Sequence, residues 1–414
     1  MEHLLGVANR GSVATSTREP EGYSCRFDAA SSQKMQFAAS SSVTGERRTN
    51  TVSFWIKRAN LSTTEYVWEW GTSDDNSYRQ FIRFQSGDNK MRWGWASGII
   101  GDTDNAMIDQ SAWTHVVLSS DTAPSTPVFK CWLNGLLNYT NDGGRNQNAN
   151  TGFGSTENQT LGWSDVDDTG YFSGYLAEFH AIQELALEAT DFGEFNDDGI
   201  WVPIEYEGTA YGTNGFYLKF DDSSDMGKDS SSEGNDFTLV NIAAANQMED
   251  SPTNNFCTLN PLMRSDPDSV STTQTISMGN LKMSMSGTPA GYSTIGATMF
   301  VGSGKWYYEL KIVTGGEGNE LGAFAQLVFD ADSPDMRGYN NRTSLAWEFS
   351  TYGSTYHYDE TGNWSSNHLA GLGHPPYHGT YTGYILLMAL DMDNGTDGSV
   401  HSFDLSIRPG VFDL

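Results

Sequence analysis

Closely spaced carboxylates are the residues of this sequence best suited to chemistry. Hard cations such as calcium take six to eight oxygens from flexible loops, and Asp, Asn and Ser supply them. Two acidic groups have this character, Asp221, Asp222, Asp225, Asp229 and Asp236 in the first and Asp165, Asp167 and Asp168 in the second. Neither group has EF-hand spacing. Asp102 and Asp104 form a third and weaker candidate group. We predict calcium at one of these groups, with a solvated turn cluster as the alternative.

Aromatic side chains near predicted strand ends are the second candidate chemistry, because sugar rings stack on aromatic faces. In the first half of the chain these are Tyr78, Trp163 and Tyr171, and in the second half Tyr356 and Trp364. We predict that they contact a carbohydrate or another receptor. The pairs Trp68/Trp70 and Trp93/Trp95 each share one strand face, which favours core packing instead.

Catalytic patterns are missing from the sequence. Glycoside hydrolysis needs two carboxylates across the scissile bond, but Glu178 and Glu309 each stand alone on a predicted strand. No nucleophile elbow or phosphate-binding loop occurs. The sequence therefore predicts a non-enzymatic protein, with a polysaccharide depolymerase as an alternative.

The elements that must position these residues are mostly β-strands. Val52, Phe54 and Ile56 alternate with polar residues, which is the period of a half-buried strand. Similar runs are 66–70, 81–84, 91–95, 114–118, 129–133, 175–182, 216–220, 237–240, 305–313, 323–329, 345–349 and 384–390. The pair Asn134-Gly135 predicts a hairpin turn, and 186–195 predicts a short helix. The fold class is all-β with few short helices.

Composition and charge restrict the partners. The chain has 414 residues, 13% aromatics and a formal net charge of −29. This field repels phosphate backbones, so we expect no nucleic-acid partner. The sequence has no apolar run of membrane-spanning length and no signal-peptide pattern. We therefore expect that the protein is made in a cytosol and does not insert into a membrane. The three cysteines, Cys25, Cys131 and Cys257, predict free buried thiols.

Residues 21–205 resemble the laminin-G-like, concanavalin-A-like lectin family. The stretches that carry the resemblance are Cys25-Arg26-Phe27-Asp28, Val52-Ser53-Phe54-Trp55-Ile56-Lys57, Trp113-Thr114-His115-Val116-Val117, Trp132-Leu133-Asn134-Gly135 and Tyr171-Phe172-Ser173-Gly174-Tyr175-Leu176-Ala177-Glu178-Phe179. The resemblance implies a jelly-roll sandwich that binds glycans or proteins, often near a calcium ion.

Residues 253–414 are similar to a SPRY-type sandwich. Gly304-Lys305-Trp306-Tyr307-Tyr308-Glu309 and Leu390-Asp391-Met392-Asp393-Asn394-Gly395 carry this similarity. The chain stops soon after the second stretch, so we expect this sandwich to be incomplete, rearranged or completed by a neighbour. The expected organisation is a flexible docking arm at 1–20, the lectin-like sandwich, an Asp-rich bridge at 206–252 and the SPRY-like sandwich. The fold class thus becomes two consecutive concanavalin-A-like jelly-roll β-sandwiches.

This order of modules resembles structural proteins of tailed phages, which is an analogy of fold. It implies a tail or head fibre in the virion that is made in the host cytoplasm, released by lysis and bound to host-surface glycans. We expect the arm to contact other virion proteins and the chain to form a homo-oligomer, with a trimer as first hypothesis. A capsid decoration subunit with a packing role only is the alternative.

Overall fold

The computed structural model describes residues 22–38, 45–72, 75–95, 98–141, 144–265, 273–286, 294–299, 305–311 and 313. Beyond these it describes six strands, at 325–328, 346–349, 355–358, 364–366, 384–391 and 402–409. The chain divides into two compact units, one formed by Ala8–Asn255 and the other by Met1–Val7 with Phe256–Leu414. The docking arm expected at 1–20 lies outside the described residues.

Seventeen strands build the first unit. In chain order they are β1 (Ser24–Phe27), β2 (Lys34–Phe37), β3 (Thr49–Arg58), β4 (Glu65–Thr72), β5 (Asp75–Phe84), β6 (Met91–Trp95), β7 (Gly98–Asp102), β8 (Thr114–Asp121), β9 (Val128–Leu133), β10 (Leu136–Asn141), β11 (Gln159–Leu161), β12 (Gly174–Gln183), β13 (Gly193–Phe195), β14 (Trp201–Pro203), β15 (Phe216–Leu218), β16 (Thr238–Val240) and β17 (Gln247–Met248). Three short 3-10 helices, Ala29–Ser31, Ala189–Asp191 and Ala244–Asn246, lie between them.

Within the described residues, two large antiparallel sheets and the two-stranded sheet β13-β14 form this unit. The first sheet has eight strands in the order β10-β9-β8-β3-β12-β1-β17, with β15 beside β12. The second sheet has seven strands in the order β16-β2-β11-β4-β5-β6-β7. Aromatic and aliphatic side chains of both sheets, Phe54 and Trp68 among them, pack into one core. The all-β class predicted from the sequence is confirmed.

The predicted hairpin at Asn134-Gly135 is confirmed. Both residues have positive φ, 48° and 79°, as a two-residue turn that matches the strand twist requires. Strands β9 and β10 pair directly on either side of it. Trp201 lies so close that a Cβ on Gly135 would come within 2.4 Å of the indole ring, so glycine is required here by space as well as by conformation.

Strand β3 differs from the half-buried strand that its sequence predicts. Val52, Phe54 and Ile56 do face the core, but Ser53, Trp55 and Lys57 on the opposite face are also at most 4% exposed. The later part of the unit covers that face: Trp201 donates from Nε1 to His115 Nδ1 at 3.0 Å. A covered outer face buries polar residues that alternation alone places in solvent.

The segment 206–252, expected as a bridge, is part of the first unit. Strand β15 pairs with β12, β16 with β2 and β17 with β1, so the segment extends both sheets. The short helix expected at 186–195 is also absent. A single 3-10 turn, Ala189–Asp191, is followed by β13, whose backbone pairs with β14 instead.

The part of the second unit that the structure describes contains eleven strands, which pair in an antiparallel manner. They are β18 (Leu259–Ser265), β19 (Thr273–Ser277), β20 (Lys282–Ser286), β21 (Thr294–Ala297), β22 (Lys305–Lys311), β23 (Ala325–Val328), β24 (Ala346–Phe349), β25 (Thr355–Tyr358), β26 (Trp364–Ser366), β27 (Tyr384–Asp391) and β28 (Ser402–Pro409). They form the sheets β18-β21, β19-β20, β22-β27-β28 and β23-β24-β25-β26. Strand β28 follows the Asp-Asn-Gly stretch and pairs with β27 along its whole length. The SPRY-like similarity stays a prediction.

Candidate functional site

The outer face of the second sheet is partly exposed along β5, β6 and β7. On the first sheet, residues 185–255 bury the outer face, including His115, Tyr175 and His180. On the second sheet, the outer-facing residues of β5, β6 and β7 keep part of their surface in solvent, among them Arg83, Arg92 and Ile99. The small cavity between the sheets is lined by core residues such as Trp68 and Trp95 and belongs to the packed interior.

Strand register arranges the residues of this surface in rows. Tyr66 pairs with Arg83, Arg83 with Arg92 and Arg92 with Asp102, across β4 to β7. The neighbouring row pairs Glu69 with Phe81, Phe81 with Gly94 and Gly94 with Ile99. We call this surface the arginine face. It consists of six strand residues and one loop carboxylate, Asp167; the strand residues are Tyr66, Glu69, Arg79, Phe81, Arg83 and Arg92.

Arg79 is fully occupied by acceptors. Its Nε donates to Glu69 Oε1 at 2.6 Å, and its Nη2 donates to Asp167 Oδ2 at 2.6 Å. Weaker bonds from Nη2 reach the Tyr66 hydroxyl at 3.1 Å and Ser164 Oγ at 3.3 Å. Burial by itself would lower the pKa of Arg79, but its bonds with Asp167 and Glu69 outweigh burial and raise that pKa. Arg79 is therefore a charged structural centre of the face.

The loop Ser164–Thr169 is held over β4 by the same network. Ser164 Oγ donates to Glu69 Oε2 at 2.9 Å, and the backbone N–H of Val166 reaches that oxygen at 3.2 Å. Asp167 accepts from Arg79 and from the Tyr66 hydroxyl. Partial burial would raise the pKa of Asp167, but the bonds from Arg79 and Tyr66 hold it below its ordinary value. The loop carboxylate is thus ionised and fixed in place.

Arg83 retains free donor capacity. It is half-buried, and Nη1 donates to the Tyr66 hydroxyl at 2.6 Å. Its Nε is buried and has no acceptor among the described residues. The guanidinium carbon lies 5.2 Å from the centre of the Phe81 ring and 5.5 Å from that of Tyr66. These cation–π contacts fix the plane of the group without using its N–H donors.

Gly94 keeps the centre of the face flat. A Cβ there would lie 2.3 Å from Phe81 Cζ and 2.6 Å from the carbonyl oxygen of Gly98. Phe81 therefore lies across the β6 backbone, and glycine is the residue that permits this close approach. At the margin, Arg92 pairs with Asp88 at 2.5 Å and with Asp102 at 3.7 Å.

The predicted aromatic site residues are placed differently from the expectation. Trp163 is only 5% exposed, and Lys34 Nζ lies 3.3 Å from the centre of its ring. Tyr171 stacks on Trp163 with 6.0 Å between the ring centres. Trp163 packs as a buried ring covered by a cation and presents no open stacking platform. The side chains of Tyr78, Tyr356 and Trp364 lie outside the described residues, although all three belong to strands, β5, β25 and β26.

The predicted calcium ligands mostly bind their own loops. Asp229 accepts the backbone N–H groups of Tyr217, Ser231 and Asn235. Asp222 accepts from the N–H and hydroxyl of Ser224, and these bonds lower its pKa.

The remaining predicted ligands do not converge. Asp221 and Asp225 are exposed, Asp165 and Asp168 lie near Lys34, and Asp167 binds Arg79. Within the part of the chain that the structure describes, no three His, Cys, Asp or Glu side chains form a group that could hold a metal. The residues as arranged do not fit a calcium ion, and calcium binding stays a prediction of the sequence.

Sequence reasoning missed Arg79, Arg83 and Glu69. A signal was present, because Arg79-Gln80-Phe81-Ile82-Arg83 alternates cationic and aromatic residues with apolar or amide ones at period two. Such alternation places Arg79, Phe81 and Arg83 on one face, opposite the core residue Ile82. The acceptors that distinguish the two arginines come from β4 and from a loop about eighty residues later, which spacing does not indicate.

Comparison with known proteins agrees with the architecture of the first unit. Residues 29–191 match the sequence model of a laminin-G-type family described as the concanavalin A-like lectin/glucanases superfamily. No curated protein matches the chain in sequence. In the described residues, no helix is of the length and apolar character that would cross a membrane.

Several solved structures are similar to this chain. A heptameric SAP-like pentraxin from Limulus polyphemus is 17% identical over 40% of this chain and 78% of its own, with a TM-score of 0.30. The CBM40 of Ruminococcus gnavus IT-sialidase, bound to α2,3-sialyllactose, is 15% identical over 31% and 72%, with a TM-score of 0.26.

Domains LG4-5 of the mouse laminin α1 chain are 8% identical over 96% of this chain and 78% of their own, with a TM-score of 0.30. These similarities are too distant to assign a ligand or a site. The family match, by contrast, covers the strands that form both sheets of the first unit, β2 to β12. Residues 29–191 of the first unit are therefore similar to a laminin-G-type domain of the concanavalin A-like lectin/glucanases superfamily.

Proposed function

We propose that this protein is a non-enzymatic glycan-binding protein and that the arginine face is its binding surface. One observation carries the proposal: above the buried residues of the arginine face, the guanidinium-bearing side chains of Arg83 and Arg92 are partly exposed beside the exposed carboxylate of Asp167. Sugar hydroxyls and carboxylates are acceptors that a guanidinium group recognises in a fixed orientation. On the first sheet, by contrast, residues 185–255 bury the outer face of the central strands β3, β8 and β12.

A binding role is favoured over hydrolysis by the state of the carboxylates. Glycoside hydrolysis needs one carboxyl group free to give a proton and another free to attack or to activate water. On the arginine face, Glu69 and Asp167 are both bonded to Arg79. Glu178, on the other sheet, is buried and accepts from the Tyr217 hydroxyl. These groups stabilise the fold and leave no free acid–base pair on the face.

The proposed setting is an appendage of a phage particle, such as a tail or head fibre. It rests on the order of the two β-rich units and on the analogy of fold, and docking through residues 1–20 and trimer formation belong to the same proposal. Localising the protein in a map of the particle tests this setting. A position inside the capsid lattice, with every sheet face covered by neighbouring subunits, would favour the decoration role instead.

Glycan binding is tested with the purified full chain on a glycan array, with and without a chelator. We expect binding that the double variant R83Q/R92Q loses and that R48Q/K130Q keeps, because Arg48 and Lys130 form ion pairs elsewhere on the surface. A chelator should leave this binding unchanged, and loss of binding would instead support the calcium expectation. Binding that survives R83Q/R92Q places the site elsewhere, and release of reducing sugar would establish a depolymerase.

A further inference from the structure

A buried lysine, a carboxylate and a side-chain amide meet where the first unit ends. Lys57 of β3 is 1% exposed, and its Nζ lies 2.8 Å from Asn255 Oδ1 and 2.9 Å from Asp250 Oδ2. On its other side the Asn255 amide donates from Nδ2 to the Ser111 carbonyl oxygen at 2.9 Å. A reversed amide would place donor against donor and acceptor against acceptor, so its carbonyl must face the lysine nitrogen.

Aromatic side chains enclose these groups. The second oxygen of Asp250, Oδ1, accepts from Trp113 Nε1 at 2.9 Å. Lys57 Nζ lies 5.9 Å from the centre of the Tyr175 ring, and both rings are buried. Asp250 is therefore held at hydrogen-bond distance from Lys57, which is the position of a group that takes and returns protons. Asn255 is half-buried, so a small molecule released from its side chain has a route to solvent.

This arrangement contains every group needed to join the lysine to the asparagine. Asp250 takes a proton from the Lys57 ammonium, and the electron pair of Nζ attacks Cγ of Asn255. Asp250 carries the two protons that Nζ loses to the departing Nδ2, the Cγ–Nδ2 bond breaks, and an ammonium ion leaves. The products are one amide bond and one ammonium ion, so atoms and charge balance without an oxidant or another co-reactant.

Proximity makes this reaction feasible between two groups that do not react in free solution. Because a C=O bond is about 1.2 Å long, Cγ of Asn255 lies within roughly 4 Å of Lys57 Nζ. Attack needs about 3–3.5 Å, and well-oriented neighbours reach effective concentrations of about 10⁵–10⁸ M. Asn255 is the electrophile and Asp250 is not, because a carboxylate anion repels a nucleophile and offers no neutral leaving group.

We propose that Lys57 and Asn255 become joined by an amide bond between their side chains, with Asp250 transferring the protons. The contacts described above are those of the chain before this bond forms. The bond links positions 198 residues apart in sequence. Since β3 lies between β8 and β12 in the middle of the first sheet, the end of the unit becomes covalently attached to its central strand. Such a link resists unfolding under a pulling force, and it is independent of glycan binding.

The test is a measurement of the intact mass of the full chain under denaturing conditions. We expect a mass lower than that of the sequence by one ammonia molecule, and a branched peptide that joins Lys57 to Asn255 after digestion. N255A keeps the ion pair between Lys57 and Asp250, so it should fold, retain the mass of its own sequence and melt at a lower temperature. N254A changes the neighbouring amide, which donates to the Glu249 carbonyl oxygen, and should still lose one ammonia.

D250A separates catalysis by the carboxylate from simple proximity. In the D250A chains that circular dichroism shows to be folded, we expect the ammonia loss after refolding to be about 100-fold slower or more. An equal rate would overturn the role of Asp250. The original chain at the full mass of its sequence, or a loss of water in place of ammonia, would overturn the cross-link. An ammonia loss that N255A retains comes from another asparagine and would overturn it as well.

Discussion

Arg79 and Arg83 occupy equivalent positions on one face of β5, but their partners give them different roles. Arg79 is surrounded by Glu69, Asp167 and the Tyr66 hydroxyl, and it holds the loop above the sheet. Arg83 shares only the Tyr66 hydroxyl. A residue type on a strand face therefore does not define a binding residue; the number of donors left unpaired does.

Glu178 is a buried carboxyl group whose pKa predicts a pH-dependent contribution to stability. Burial raises its pKa to about 8, and the hydrogen bond from Tyr217 only partly opposes that shift. The unfolded chain loses this proton near pH 4.5 and the folded chain near pH 8. Between those values the folded state holds the extra proton, so this group's contribution to stability is lost as pH rises through the window.

E178Q removes that titration. We expect the free energy of unfolding of E178Q, relative to the original chain, to rise by up to about 1.4 kcal/mol per pH unit between roughly pH 5 and 8. Urea denaturation at several pH values measures it. E194Q, which changes an exposed residue of β13, should follow the original chain. A difference between E178Q and the original chain that is constant with pH would contradict the prediction.

At the scale of elements, close contact between β5, β6 and β7 shapes the arginine face. Gly94 of β6 lies under the Phe81 ring, and Ile99 of β7 is 47% exposed at the margin. The face therefore depends on a backbone position that must lack a side chain. Glycine in a strand interior weakens the strand, but here it is needed to keep the surface flat beneath Phe81.

G94A should disturb this arrangement, because its Cβ would overlap Phe81 and the Gly98 carbonyl. We expect a loss of about 1–3 kcal/mol in the free energy of unfolding and weaker glycan binding as Phe81 and Arg83 move. The matched control is G98A, whose Cβ would meet only Arg145 Nη2 at 3.5 Å and the Trp95 carbonyl at 3.7 Å. Equal stability and equal binding of the two variants would show that the close approach is unimportant.

At the scale of the molecule, the last residues of the first unit form side-chain contacts with residues much earlier in its sequence. Lys57 Nζ donates to Asp250 Oδ2 at 2.9 Å, with both side chains at most 2% exposed. Trp113 Nε1 donates to Asp250 Oδ1 at 2.9 Å, and Lys57 also reaches Asn255 Oδ1 at 2.8 Å. These contacts join β3 to residues almost two hundred positions later within the compact unit Ala8–Asn255.

D250N keeps the shape of the side chain and removes its charge, which leaves the Lys57 ammonium buried without that carboxylate. We expect the full chain to lose about 3–5 kcal/mol, the usual cost of breaking a buried ion pair. D225N changes an exposed carboxylate of the same acidic region and should be neutral. Thermal denaturation followed by tryptophan fluorescence measures both variants, and similar transition temperatures for D250N and D225N would contradict the role assigned to the pair.

The sequence by itself determined the all-β class, the turn at Asn134-Gly135 and the resemblance over the first unit. These depend on local properties, namely alternation along a strand, the φ preferences of a turn and short sequence stretches that follow one another in the order typical of the lectin-like family. Each of these properties depends on only a few neighbouring residues, so each could be predicted without knowing which strands pair.

Only the tertiary structure decided which alternating faces are covered and which side chains find partners. In the folded protein Trp163 is buried beneath Lys34, and strands of 206–252 belong to both sheets. Asp167, predicted as a ligand of a metal ion, forms an ion pair with Arg79. Period two reveals that Arg79, Phe81 and Arg83 share a face, but the acceptors come from residues far along the chain. Long-range strand pairing determines which donors of Arg83 find partners, and the local sequence pattern does not predict that pairing.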